Sequence, residues 1–161
     1  MRYLLSFILL AGLMSCSSSK VSKYSKIEYE VGPCFGFCPI YKIIINADKT
    51  AILEAEHFNF SKGEGRGDLD KPREGTYRSI ISKEDFDKLM TLAGQANVKS
   101  LKGNYEDQRI MDASRTSLSI FFSDGSLKNI AMSAGEKPEN LVKLVQYIIQ
   151  LKEKQNWKKI N

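Results

Sequence analysis

The pattern of apolar and polar residues indicates six strands in this chain. Residues 26–31 alternate between polar and apolar side chains, which is the period of a strand with one buried face. Residues 40–46 and 50–60 are rich in apolar side chains and flank a turn-forming segment around Asp48, which predicts a hairpin. A second hairpin is indicated by the Asp124-Gly125 pair. The predicted strands cover residues 26–31, 40–46, 50–60, 76–81, 116–122 and 127–132.

Two segments have the spacing of amphipathic helices. Ser82, with Asp85 three residues later, predicts a capped helix start, and an apolar stripe follows at Phe86, Leu89, Met90 and Ala93. Pro138 fits the first turn of a second helix. Its apolar stripe consists of Leu141, Leu144, Val145, Ile148 and Leu151, and Trp157 is expected to pack at its end. The order of elements predicts an α+β fold: an antiparallel sheet of about five to six strands packed on one face by two helices.

The first residues have the plan of a bacterial targeting signal. Arg2 precedes an apolar run that is shorter than the roughly 20 residues needed to span a membrane. The run ends at Leu13-Met14-Ser15-Cys16, which resembles the lipobox of bacterial lipoproteins. That resemblance implies lipidation of Cys16 by acyl chains such as palmitate and removal of a signal peptide at residues 1–15. An ordinary secretory signal, with Cys16 at the boundary by coincidence, is the alternative.

The expected organisation is therefore a signal peptide, residues 1–15, a flexible tether, residues 16–25, and a single α+β domain, residues 26–158. Residues 61–75, rich in glycine and charge, are predicted to form a mobile surface loop. The expected location is the cell envelope. Ser17 is not the aspartate linked with inner-membrane retention in some bacteria, so the outer membrane is favoured over the inner.

Composition excludes few functions. The 24 lysines and arginines exceed the 19 acidic residues, but they are scattered and form no arginine-rich stripe interleaved with aromatics. A nucleic-acid partner is therefore not expected, nor is a cofactor. Lys20, Lys23 and Lys26 would add a weak attraction to anionic lipid beside the anchor.

The segment Gly32-Pro33-Cys34-Phe35-Gly36-Phe37-Cys38-Pro39 is the one constellation that suggests chemistry. In an oxidising compartment two nearby cysteines usually pair, so a disulfide between Cys34 and Cys38 is expected. A structural clasp is the simplest interpretation, and Phe35 and Phe37 on a rigid turn would anchor a partner. Redox catalysis is disfavoured by the Cys-x-x-x-Cys spacing. A metal site with His57 lacks an indicated fourth ligand, so no metal is expected.

The same segment, with Ile40 and Tyr41, resembles the uncharacterised lipoprotein domain family known as domain of unknown function 6438. The likeness continues through the Asp48 turn, Gly75-Thr76-Tyr77, the helix at Phe86, Tyr105 with Asp112, and the terminal helix that ends at Trp157. The sequence departs from the family pattern at Lys49, where a turn glycine is common, and at Asp112-Ala113-Ser114, which replaces a more typical Asp-x-Pro. The family has no established activity, so the resemblance implies fold and location only.

These observations lead to two hypotheses. The first is a membrane-anchored envelope lipoprotein that is not an enzyme and binds an envelope protein or peptide. Its candidate binding residues are Phe35, Phe37, Tyr41, Tyr105 and Asp112. The second is a thiol-disulfide redox helper or enzyme that uses Cys34 and Cys38. A binding clasp should stay oxidised, whereas a redox pair should exchange readily with small thiols.

Overall fold

A computed structural model describes residues 22–107, 109–110 and 112–161 of the chain. The expectations for the signal peptide, for Cys16 and for most of the tether lie outside the described residues. The first strand begins at Tyr24, so the last two residues assigned to the tether, residues 24–25, belong to the sheet.

The described residues form one sheet of eight strands, in the order β5-β7-β6-β1-β2-β3-β4-β8. Its strands are β1 (Tyr24–Val31), β2 (Ile40–Asn46), β3 (Thr50–His57), β4 (Gly75–Ile80), β5 (Asn104–Tyr105), β6 (Thr116–Phe122), β7 (Leu127–Met132) and β8 (Lys158–Lys159). All six predicted strands are present, but the predicted count of five to six is too low. The sheet is also not wholly antiparallel, because β5 pairs with β7 in parallel. The two additional strands have two residues each, too few to show any alternation.

Two α-helices, α1 (Lys83–Gln95) and α2 (Glu139–Lys154), are present in the described part of the chain. The start of α1 matches its sequence signal, because the Ser82 hydroxyl oxygen accepts a hydrogen bond of 3.1 Å from the Asp85 backbone N–H. The Asp85 carboxylate in turn accepts a 2.9 Å bond from the Tyr147 hydroxyl, which joins the two helices. Trp157 packs after α2, with its Nε1 donating to the Lys152 carbonyl at 2.7 Å.

The hydrophobic core lies between the helices and one face of the sheet. Alternate residues of the central strands point into it, so that in β2 and β3 the core residues Ile43 and Leu53 are 0% exposed. The helices contribute their predicted stripes, including Leu89 and Leu144. Burial of a leucine or isoleucine side chain contributes about 1.5 to 3 kcal/mol, so this layer supplies most of the driving force for the fold.

The opposite face of the sheet has no covering layer among the described residues. Its centre is the Glu28 carboxylate, which lies 2.6 Å from Lys26 Nζ and 3.3 Å from Lys42 Nζ. Ile44 and Ile52 are half-buried between such polar neighbours. Successive side chains of each strand therefore alternate between the face that the helices cover and the open face. In the described part of the chain, neither helix has the length and apolar character needed to cross a membrane.

The carboxyl-terminal segment completes one edge of the sheet. Ile160 donates its N–H to the Thr76 carbonyl at 2.8 Å, and Thr76 donates to the Asn161 carbonyl at 2.8 Å. Gly75, at φ 125°, makes this approach possible, because a Cβ there would lie 2.4 Å from the Asn161 oxygen. Any larger residue at the position before Thr76 would therefore clash with the carboxyl-terminal segment.

The two ends of the sheet differ in their connections. At one end, here called the loop end, lie the segments 32–39, 58–74, 106–115 and 133–138. The other end, called the turn end, carries the tight turns 47–49 and 123–126 and the first described residues, since Ser123 donates its N–H to the Lys23 carbonyl at 3.1 Å. The eight residues of β1 rise about 3.3 Å each, so about 25 Å separates the two ends.

Candidate binding site at the loop end

Cys34 and Cys38 are joined by a disulfide, as predicted, with their Cα atoms 5.8 Å apart. The bond closes the connection between β1 and β2 into a tight turn, called here the cysteine turn (residues 32–39). Inside it, Gly36 has φ 152° and donates its N–H to the Cys34 carbonyl at 2.9 Å. The turn therefore has a fixed backbone from which Phe35 and Phe37 project.

One side of the cysteine turn is bonded to the segment 106–115. Phe35 donates its N–H to the Asp112 carbonyl at 3.2 Å, and Gly32 donates to the Arg115 carbonyl at 2.9 Å. Two of the candidate residues, Phe35 and Asp112, are thus neighbours, although the contact is made by the backbone. The Asp112 side chain is exposed.

The other side of the cysteine turn packs on the loop 58–74. The ring of Phe37 lies edge-on to that of Phe58, with the centroids 5.5 Å apart. Gly63 passes directly beneath Phe37, since a Cβ at this glycine would lie 2.2 Å from the Phe37 ring. Phe58 is only 9% exposed and forms the buried support of this contact.

Glu74 fixes the beginning of the loop 58–74. Its carboxylate accepts backbone N–H bonds from Asn59 at 3.0 Å, Phe60 at 3.1 Å and Ser61 at 2.9 Å, and a 2.5 Å bond from the Ser61 hydroxyl. Partial burial of Glu74 acts to raise its pKa, but these hydrogen bonds outweigh it and the pKa of Glu74 is lowered. A single carboxylate thus orders three consecutive residues.

Asn59 ties the same loop to the sheet. Its side-chain amide donates to the carbonyl of Ile40 at 2.8 Å and to that of His57 at 3.0 Å. The pairing of β2 with β3 shifts by one residue at this position, between Ile40 and Tyr41. Asn59 therefore bridges the two strands where their regular ladder is interrupted.

Asp68 closes the far part of the loop. Its carboxylate accepts the backbone N–H of Glu64 at 2.6 Å and of Gly65 at 2.8 Å, and lies 2.6 Å from Lys71 Nζ. The hydrogen bond from Lys71 and then the two backbone bonds hold the pKa of Asp68 well below its usual range. The short 3-10 helix Arg66–Asp70 is fixed by these contacts and carries the exposed Leu69.

Between the cysteine turn and this loop lies an apolar cleft of about 510 Å³, called here the aromatic cleft. Its walls are the side chains of Phe35, Phe37, Phe58 and Leu69, with Cys34, Gly36 and Gly65 completing the surface. On the other side of Phe58 is a smaller polar pocket of about 350 Å³. The polar pocket is lined by His57, Ser61, Lys62, Asp68, Lys71, Pro72 and Glu74.

Tyr41 and Tyr105 lie at the same end of the sheet but face the core. Tyr41 is 5% exposed, its ring lies 6.3 Å from that of Tyr29, and Lys152 Nζ lies 4.5 Å above it. Burial raises the pKa of the Tyr41 hydroxyl. Tyr105 is half-buried in β5, where its hydroxyl accepts the Lys102 N–H at 3.1 Å. Neither ring lines the aromatic cleft.

The surroundings of the cysteines differ from those of a redox motif. Cys38 is followed by Pro39 and a strand, so neither sulfur lies at a helix N-terminus, where a thiol pKa would be lowered. Within the described residues, no three histidine, cysteine, aspartate or glutamate side chains are placed to hold a metal ion. His57 instead packs beside Phe58, with ring centroids 5.9 Å apart.

Fold and site define a class of protein: a small α+β domain with one open sheet face and a disulfide-bridged aromatic turn. The chain belongs to the family described as Domain of unknown function (DUF6438), whose model matches residues 25–152. The resemblance carried by the cysteine motif is thereby confirmed. A comparison with curated proteins finds no match.

Replacing Gly63 by alanine should displace the Phe37 ring from Phe58, because the added Cβ would overlap it. We expect the cross-ring contacts to be lost in nuclear Overhauser spectra while the unfolding free energy changes by less than about 1 kcal/mol, since the Phe37 ring is 52% exposed and can move into solvent. Gly67→Ala, in the same loop, is the control because nothing lies within 4 Å of its added Cβ. Equal spectra for both variants would contradict the assigned packing.

Replacing Glu74 by glutamine should destabilise the protein by about 1 to 2 kcal/mol, because one amide oxygen cannot replace a carboxylate that accepts four hydrogen bonds. Since the folded pKa of Glu74 is lowered, its contribution is present above the unfolded value of about 4.3 and is lost as the pH falls through the folded value. Urea unfolding at pH 7 and pH 3 measures both effects. The difference from wild type should shrink at pH 3.

The control for this variant is Glu136→Gln, at an exposed glutamate of the segment 133–138. It should leave the urea midpoint unchanged at both pH values, because surface substitutions of this kind change stability by no more than about 0.5 kcal/mol. A Glu74→Gln variant with the same midpoint as Glu136→Gln would refute the role of Glu74 in ordering the loop.

Proposed function

We propose that this protein is a membrane-anchored envelope lipoprotein that binds a protein or peptide through its loop end. The observation that carries the proposal is the distribution of exposed apolar side chains. Of the eight large ones exposed among the described residues, five lie on the loops of the loop end. They are Phe35, Phe37, Phe60, Leu69 and Ile110.

Three of them, Phe35, Phe37 and Leu69, line the aromatic cleft together, and exposed apolar patches of this kind mark interaction sites. Phe35 is 86% exposed and Phe37 is 52% exposed, so both rings have most of their area available for a contact. Aromatic side chains of this kind supply much of the binding energy at interfaces.

The residues that carry the rings are held in place before any contact forms. The disulfide closes the cysteine turn, Asp112 bonds it on one side, and Glu74 and Asp68 fix the loop on the other. A surface ordered in advance loses less conformational entropy when it binds. This arrangement supports a binding role for the loop end.

An anchor at Cys16 would orient the surface. The chain enters the sheet at the turn end, beside Ser123, and the loop end is about 25 Å further along β1. A domain tethered by its amino terminus would thus direct the aromatic cleft away from the membrane. Partners in the envelope would meet the loop end first.

The anchor is tested by mass spectrometry of the protein extracted from bacterial membranes. A mature chain that begins at Cys16 and carries the mass of acyl chains is the expected result, and the Cys16→Ala variant should leave the membrane fraction. A mature chain with an unmodified Cys16 would refute the anchor while leaving the binding proposal intact.

The binding role is tested by selecting peptides from a displayed library on the purified protein. Peptides selected on the wild type should bind the Phe35→Ser variant at least about tenfold more weakly, because loss of a central aromatic contact costs 2 kcal/mol or more. The matched control is Leu127→Ser, which removes a residue 49% exposed at the turn end. Equal binding to both variants, or no enrichment of any sequence, would overturn the proposal.

A further inference from the structure

We propose that the loop end recognises a peptide segment in which an apolar side chain is adjacent to a carboxylate. The apolar side chain occupies the aromatic cleft, and the carboxylate lies in the polar pocket beside Lys62. The inference rests on the proposed binding function and specifies its ligand.

The aromatic cleft is apolar and has room for a large apolar side chain. Its volume of about 510 Å³ lies within the range of small-ligand sites, and no charged side chain lines it. Phe35 and Leu69 form its exposed rim, while Phe58 forms its buried base. An aromatic or large aliphatic side chain inserted here would cover part of the exposed surface of Phe35 and Leu69.

The polar pocket has spare hydrogen-bond donors and few spare acceptors. Both of its carboxylates are already engaged: Glu74 accepts three backbone N–H groups and a hydroxyl, and Asp68 accepts two backbone N–H groups and Lys71. Lys62, by contrast, has no ion pair among the described residues. Lys71 is 65% exposed at its side chain, so part of its ammonium group is still open to a second acceptor. The formal charges of these four side chains sum to zero, but the free hydrogen-bond donors belong to Lys62 and Lys71. A ligand group that only accepts hydrogen bonds, such as a carboxylate, therefore fits the pocket.

The two cavities are separated by a single ring, because Phe58 lines both of them. Neighbouring side chains of an extended peptide point to opposite sides of its backbone. A peptide that crosses above Phe58 therefore directs one side chain into the aromatic cleft and the next toward Lys62. This geometry favours a polypeptide over a ligand with a single apolar chain.

The experiment uses three capped tetrapeptides that share one tryptophan and differ at the next position, which is aspartate, asparagine or lysine. Each is titrated into the isotopically labelled protein while amide resonances are followed. We expect the Gly36 and Gly65 resonances to move with all three, and the aspartate peptide to bind up to about fivefold more tightly than the asparagine peptide. The lysine peptide should bind most weakly.

Lys62→Gln should abolish the preference for aspartate and leave the affinity of the asparagine peptide unchanged. The matched control is Lys83→Gln, at the start of α1, where the lysine pairs with Asp87 on the surface. Loss of the preference in both variants would contradict a specific role for Lys62.

The remaining outcomes separate the two proposals. Equal affinity for the three peptides, with the same resonances moving, overturns the carboxylate pocket while the aromatic cleft stands. No movement of Gly36 or Gly65 with any peptide overturns both. If decanoate moves these resonances and the peptides do not, the occupant is an acyl chain and the peptide proposal is wrong.

Discussion

Replacement of Ile43 by alanine should lower the free energy of unfolding by about 2 to 5 kcal/mol, the usual cost of truncating a buried isoleucine. Ile43 is 0% exposed in the central strand β2, between the paired residues Tyr29 of β1 and Leu53 of β3. The helices cover this face, so the truncated side chain leaves a cavity that neighbours cannot readily fill. Urea unfolding followed by circular dichroism measures the loss.

The next residue provides the control. Ile44 occupies the same strand but points to the open face, where it is half-buried opposite Ile52. Its replacement by alanine removes the same atoms without opening an internal cavity, so we expect a loss of about 1 kcal/mol or less. If the two variants were destabilised equally, the assignment of covered and open faces would be wrong.

The difference between the covered position of Ile43 and the open position of Ile44 bears on how much of the fold could be predicted from the sequence. The long strands have alternating side chains because one face is covered, and the apolar stripes of α1 and α2 record the same burial. β2, β6 and β7 have the predicted bounds because turn-forming segments flank these apolar runs. β5 and β8 are held by edge pairing of two residues each, which depends on tertiary contacts and leaves no periodic signal.

The candidate site was predicted only in part. The disulfide and the two exposed phenylalanines follow from local sequence, because only three residues lie between the cysteines and the compartment is expected to oxidise them. Phe58 was not identified, since a phenylalanine at a strand end gives no sign that it will support a turn 20 residues earlier. Tyr41 belongs to the cysteine motif by sequence, yet strand alternation points its ring into the core.

The roles of Glu74 and Asp68 were also not identified. Both are acidic residues in a segment rich in glycine and charge, where a solvated side chain is the ordinary expectation. Their importance comes from the backbone N–H groups that the loop directs toward them. Only the folded path of the loop brings those groups together, so sequence spacing alone could not show which acids are engaged.

Replacement of both Cys34 and Cys38 by serine should lower the free energy of unfolding by about 2 kcal/mol, the loop-entropy value for so short a closed segment. Binding of the selected peptides should also weaken. Phe35 and Phe37 would lose their fixed backbone, and ordering one or two residues on binding costs about 1 to 2 kcal/mol each, so affinity for the selected peptides should fall by about tenfold or more. Urea unfolding and peptide titration measure the two effects.

Titration of the wild type against a glutathione buffer then separates the binding clasp from a redox pair. A structural disulfide should stay oxidised in buffers that reduce exchangeable disulfides. Once a stronger dithiol has reduced it, the protein should bind the selected peptides as weakly as the double serine variant does. The same titration of the unlipidated Cys16→Ser variant is the control, because Cys34 and Cys38 are the two cysteines that it retains. A bond that opens readily in glutathione, with peptide binding unchanged, would refute the clasp and favour a thiol-disulfide redox function instead.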